Sequence, residues 1–99
     1  MIEQEHLRAI ETVRHLPFVD QVEGGDVDWW TVSASGHAAT DLELGESYAR
    51  MAIDVARMFN LPLLIAFVLR DIAMSGRFTG VEAGFIAVIA SAARSGSMN

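Results

Sequence analysis

The sequence predicts an all-α fold, a small bundle of about four helices in a single domain covering residues 1–99. Three observations predict it. Apolar residues recur at three- and four-residue steps through most of the chain. Two Thr-x-x-Glu patterns, Thr40–Glu43 and Thr79–Glu82, stand in front of apolar runs, as capping boxes do. Strand-like residues are confined to one short stretch, residues 27–32, that alternates only in part.

A first helix is expected over 3–16. Ile2, Leu7, Ile10, Val13 and Leu16 form its apolar stripe, Arg14 and His15 suit its C-terminal end, and Pro17 stops it. Residues 17–40 are irregular or a short β-hairpin turning at Gly24-Gly25. A second helix is expected over 41–59, capped by Thr40 and Glu43. Its stripe is Leu44, Tyr48, Met51, Val55, Met58 and Phe59, and Glu46, Arg50, Asp54 and Arg57 are spaced for ion pairs on another face.

A third helix is expected over 62–75, with Asn60 as its cap, Pro62 in its first turn and Gly76 as its stop. Leu63, Leu64, Ile65, Phe67, Val68, Leu69, Ile72 and Met74 project all round it, so it needs cover on more than one side. A fourth helix is expected over 80–94. Val81, Phe85, Val88, Ile89 and Ala92 make its large face, and Ala83, Gly84, Ala87, Ala90 and Ser91 a small-residue face. Gly76 and Gly80 read as turn glycines.

Half of the residues are apolar and a fifth are charged, which excludes a disordered chain. There is no cysteine, so disulfides, thiolate metal sites and cysteine nucleophiles are excluded. The longest apolar run, Leu61–Leu69, is far short of the ~20 residues that span a bilayer, and no signal-peptide pattern opens the chain. A cytoplasmic, bacterial protein with no membrane partner is the resulting expectation. The net charge of −6 is lopsided. Residues 1–46 hold ten acids against Arg8 and Arg14, a balance of −8, and residues 47–99 carry +2. Such a field disfavours direct nucleic-acid binding and favours a basic protein partner.

No constellation of catalytic type stands out, and the sequence assigns no catalytic residue, cofactor or metal. Glu3–His6 has the Glu-x-x-His spacing of helical di-iron sites but no second copy. Asp26–Thr31 fails the calcium-loop pattern at its third ligand and its glycine. The serines before His37 lack the strand–turn–helix context of a hydrolase elbow.

Three functions remain. The first is a non-enzymatic protein–protein interaction module or homodimer, with helices 62–75 and 80–94 at the interface because both carry more apolar surface than a monomer would cover. The second is an acidic inhibitor or nucleic-acid mimic of the phage or plasmid type. For it, Asp20, Glu23, Asp26, Asp28, Trp29 and Trp30 are the candidate partner-binding residues. The third is a small metal- or histidine-assisted enzyme built on His37, Asp41 and Glu46.

Overall fold

Four helices and one two-stranded ribbon follow one another along the chain. They are α1 (Ile2–Arg14), β1 (Asp20–Gln21), β2 (Val27–Asp28), α2 (Ala38–Met58), α3 (Pro62–Ser75) and α4 (Gly80–Ser95). This computed structural model describes residues 2–21 and 27–95. The segment expected to be irregular or a hairpin is a hairpin at its start, with Asp20 facing Asp28 and Gln21 facing Val27 in antiparallel register. Its Gly24-Gly25 turn lies outside the described residues.

The close partner of α2 is α4. The two run parallel: Gly45 meets Val81 and Phe85, Gly84 meets Leu42, and farther along Arg57 shares a groove with Ser95. The chain therefore crosses back through α3 between them. Glycine sets the approach. A methyl group built on Gly45 would overlap the Val81 carbonyl oxygen and lie 2.8 Å from its carbon, and one on Gly84 would overlap the Leu42 carbonyl oxygen. At Gly80 the nearest atoms, Ala38 O and Asp41 Cβ, would be 3.0 Å away. Gly80 is thus a packing glycine at the first residue of α4 and not a turn glycine. Gly76 does what the sequence suggests: at φ 69° it closes α3 in the left-handed conformation that costs glycine least.

This contact rotates α2 from its expected orientation. Its buried face is Gly45, Ala49, Ala52, Ile53 and Val55, the side on which small residues let the α4 backbone come near. Leu44, Tyr48 and Phe59 are only partly buried, and Met51 and Met58 are exposed. On α4 the large face is as expected, with Val81, Phe85 and Ile89 buried and Val88 and Ala92 packed against them. Its small-residue face divides: Gly84 packs on α2, and Ala87, Ala90 and Ser91 face solvent.

Two expected caps are different. α2 begins at Ala38, before Thr40, and its start is held by Asp41, whose Oδ1 accepts the Ser35 backbone N–H at 3.0 Å and the Ser35 hydroxyl at 2.7 Å. Asn60 takes φ 53° and reverses the chain after α2, so Leu61 and not Asn60 precedes α3. The capping box of α4 forms as expected: Glu82 Oε1 accepts the Thr79 backbone N–H at 2.6 Å, and the Thr79 hydroxyl accepts the Val81 N–H at 3.3 Å.

Aromatic rings fill the centre. Phe18, fully buried, lies 5.8 Å from Trp30, 5.3 Å from Tyr48 and 5.9 Å from Phe85, centroid to centroid, and Trp30 meets Phe85 edge-on at 5.1 Å. Such tilted pairs add about 0.5–1.5 kcal/mol each beyond their buried area. The loop that brings Phe18 and Trp30 inward is tied by Thr31 N–H to the Phe18 carbonyl at 2.9 Å. The molecule measures 44 × 37 × 20 Å. A slab 20 Å thick holds about two helix diameters, so every helix keeps a face toward solvent. No helix among the described residues is long and apolar enough to cross a membrane.

Candidate interaction surface

The apolar excess of α3 ends on the surface. Leu64, Ile65, Val68 and Ile72 point into the core. Leu63, Phe67, Arg70 and Met74, at steps of four, three and four residues, share the opposite stripe. Leu63 is 62% and Met74 77% exposed, and just beyond the helix Phe78 is 69% exposed. On the outer face of α4 the largest side chain is Ile86, at 37%, among alanines. Of the two helices expected at an interface, α3 therefore carries the greater uncovered apolar area.

The tryptophan pair divides across this region. Trp30 is 2% exposed and belongs to the core, which removes it from the candidate partner-binding residues. Trp29 lies half-buried at the edge of the α3 stripe, stacked on Phe67 with centroids 5.4 Å apart. Asp71 holds it there, with Oδ2 accepting the Trp29 backbone N–H at 2.8 Å and Oδ1 accepting Arg70 Nε–H at 3.0 Å. Arg70 in turn lies over the Phe67 ring at 5.3 Å. Trp29, Phe67, Arg70 and Asp71 thus form one ordered unit that sequence reasoning did not single out. Of its members the sequence names Trp29 as a partner-binding candidate, and the other signal is a helix apolar on every side. Asp71→Ala removes the acceptor for both donors. It is expected to cost about 1.5–3 kcal/mol, seen as a lower urea midpoint and a loss of near-ultraviolet circular dichroism from the stacked Trp29.

At the N-terminal end of the stripe, Val13, Trp29, Leu61, Pro62, Leu63 and Phe67 line an almost wholly apolar groove of about 310 Å³. A second groove, about 630 Å³, runs between β2 and the end of α3, where Asp28, Arg70, Asp71 and Arg77 mix their charges around Met74. A third, of about 450 Å³ between α2 and α4, has Arg50 and Arg57 on its rim. Asp54 lies between those two arginines, and the C-terminal ends of both helices carry negative partial charge there, so an anion gains little. Although their spacing allows it, Glu46, Arg50, Asp54 and Arg57 form no ion pair among the described residues.

Of the acidic candidates, Asp20 and Asp28 face each other across the two-stranded ribbon. Asp20 is exposed on β1, and Asp28 turns its Oδ1 to the Trp30 backbone N–H at 3.2 Å. Glu23 and Asp26 lie outside the described residues. Of the residues of the enzyme hypothesis, His37 and Asp41 are neighbours at the start of α2, with the Asp41 N–H bonded to the His37 carbonyl at 2.9 Å. Among the described residues no group of three histidines or acids could hold a metal ion. Asp41 is occupied by Ser35, whose hydroxyl and backbone N–H, joined by the nearby His37, hold its carboxyl below the usual aspartate value against the opposing effect of burial.

Glu82 is the other buried acid, 1% exposed. Its Oε2 accepts the Trp30 indole N–H at 2.8 Å, while Oε1 accepts both Thr79 donors. Burial pushes its carboxyl up, but the Thr79 hydroxyl, the Thr79 N–H and the Trp30 indole together outweigh burial and hold it below the ordinary glutamate value. The capping box of α4 is therefore also the anchor of the tryptophan loop.

No model of a known protein family matches the chain, and no curated protein or solved structure is detectably similar to it.

Proposed function

We propose that the chain is a helical protein–protein interaction module that acts as a homodimer and docks through the outer face of α3. The observation that carries this reading is the stripe of Leu63, Phe67 and Met74 on α3, with Trp29 stacked on Phe67. Large apolar side chains set side by side on one helix face support an interaction site more than do single exposed ones such as Leu7 and Met58. The occupant proposed is a second copy, since a symmetric pair would cover this stripe on both chains at once.

The test is light scattering coupled to size exclusion, with sedimentation velocity across a concentration series, on wild type and on the double variant Leu63→Glu with Met74→Glu. Both side chains are exposed, so the variant is expected to keep its helical circular dichroism. Each replacement removes one apolar side chain from the interface, about 1.5 kcal/mol or more, so the pair should raise the dimer dissociation constant at least about 100-fold. A wild type that stays monomeric throughout would remove the proposal.

A further inference from the structure

We propose that Trp29 and Trp30 form an acid-released strap, latched as one unit by Asp71 of α3 and Glu82 of α4. Every contact the strap uses lies within one chain, so it does not depend on the homodimer. The two residues are consecutive, yet two different helices hold them. The Trp29 backbone N–H donates to Asp71 Oδ2 at 2.8 Å, and the Trp30 indole N–H donates to Glu82 Oε2 at 2.8 Å. Both carboxylates are occupied on both oxygens. Asp71 Oδ1 accepts Arg70 Nε–H at 3.0 Å, and Glu82 Oε1 accepts the Thr79 N–H at 2.6 Å. Protonation turns one oxygen of a carboxyl into a donor, so each latch loses one bond and the bond that stays loses its charge assistance. Asp28 is different. It meets the Trp30 backbone N–H with one oxygen, at 3.2 Å, and that acceptor survives protonation of the other.

The charges around the latches come from several elements. Arg70 faces Asp71 from α3 itself, and Asp28 of β2 and Arg77 beyond α3 line the same groove. Asp20 of β1 faces Asp28 across the ribbon, and Asp41 of α2 lies beside Gly80, two residues before Glu82. Glu82 is held below the ordinary glutamate value, so its latch is lost as pH falls through that lower value. The α2–α4 crossing is made by Gly45 and Gly84 against the Val81 and Leu42 backbone, none of which titrates. The strap therefore lets go while the helix pair holds. Its far end stays anchored, because Thr31 N–H on the Phe18 carbonyl, at 2.9 Å, joins two groups that acid does not change. Trp29 walls the apolar groove and Trp30 the mixed-charge groove, which makes the strap the partition between them. Its release joins the two into one cleft along α3.

An acid titration of the full chain tests the strap. Near-ultraviolet circular dichroism follows the rings, far-ultraviolet circular dichroism follows the helices, and the two tryptophans give two indole N–H resonances. In wild type both indole resonances should move with one midpoint, at a pH where the helical signal is still intact. Asp71→Asn and Glu82→Gln each place a donor in one latch at every pH, as protonation does. Each is expected to raise the midpoint of both indoles by about one pH unit, including that of the tryptophan whose own latch is untouched. The double variant should show the released rings at neutral pH with its helical signal retained. Ring and helix signals lost together in wild type, or a double variant without helix at neutral pH, would show that no separate strap exists. Asp71→Asn that leaves the Trp30 midpoint in place would overturn the single unit.

Discussion

Replacing Gly45 with alanine is expected to lower the melting temperature by about 12–24 °C, the equivalent of about 3 kcal/mol in a domain of this length. The added methyl would occupy the position of the Val81 carbonyl oxygen and lie 2.9 Å from the Phe85 nitrogen. These are backbone atoms of α4, which no rotamer change can move aside. The helices must separate, and separation opens the layer where Ala49, Ala52, Val81 and Phe85 now pack without solvent. Alanine gains helix propensity over glycine by at most about 1 kcal/mol, too little to compensate. Gly84→Ala meets the Leu42 carbonyl in the same way and should cost as much. Gly80→Ala, whose methyl would find its nearest atoms at 3.0 Å in the first turn of α4, should cost less. Thermal melts at one fixed protein concentration check the order. An unchanged melting temperature for Gly45→Ala would mean that α2 and α4 do not cross at these glycines.

That crossing also marks the limit of what the sequence reveals. Helix existence was legible because apolar periodicity and Thr79–Glu82 capping are local signals, and all four helices lie where the pattern places them. The face that α2 buries was not legible. Counting large side chains put Met51 and Met58 inward, yet the closest contact is made by residues with almost no side chain, and absence of bulk leaves no hydrophobic signature. The same holds at the start of α2. Thr40–Glu43 and Ser35–Asp41 are both plausible local caps, and the loop arriving from Trp30 and Val32 decides between them. For the candidate surface, the sequence located the excess, since α3 is apolar all round. Which side stays uncovered depends on where Trp29 and α1 come to rest, and those are long-range contacts. Phe18, the ring that touches Trp30, Tyr48 and Phe85, lies one residue after the proline that ends the first periodic segment and carries no pattern of its own.

Glu82→Gln is expected to destabilise the fold by about 2–3 kcal/mol at neutral pH, although it keeps the shape of the side chain. The reason is the surroundings of the carboxylate. Three donors point at it, the Trp30 indole N–H on Oε2 and the Thr79 N–H and hydroxyl on Oε1. A carboxylate accepts on both oxygens, but an amide accepts on one side and presents N–H on the other. Whichever way the substituted amide turns, one side sets donor against donor in a site 1% exposed. The pH dependence gives an independent check. Because the folded carboxyl is held below its ordinary value, Glu82 contributes stability that is fully present above the unfolded glutamate value, about 4.3, and is lost as pH falls through the lower folded value. Protonated Glu82 has the same defect as glutamine, one oxygen turned donor. The stability gap between wild type and Glu82→Gln should therefore be widest near neutrality and close in acid. Urea titrations at a series of pH values measure it, and the Trp30 indole proton resonance reports the bond itself. A gap that stays constant down to acid pH would show that Glu82 acts through packing alone. A double-mutant cycle with Trp30→Phe then isolates the indole bond: the coupling should persist at neutral pH and vanish where the carboxyl is protonated.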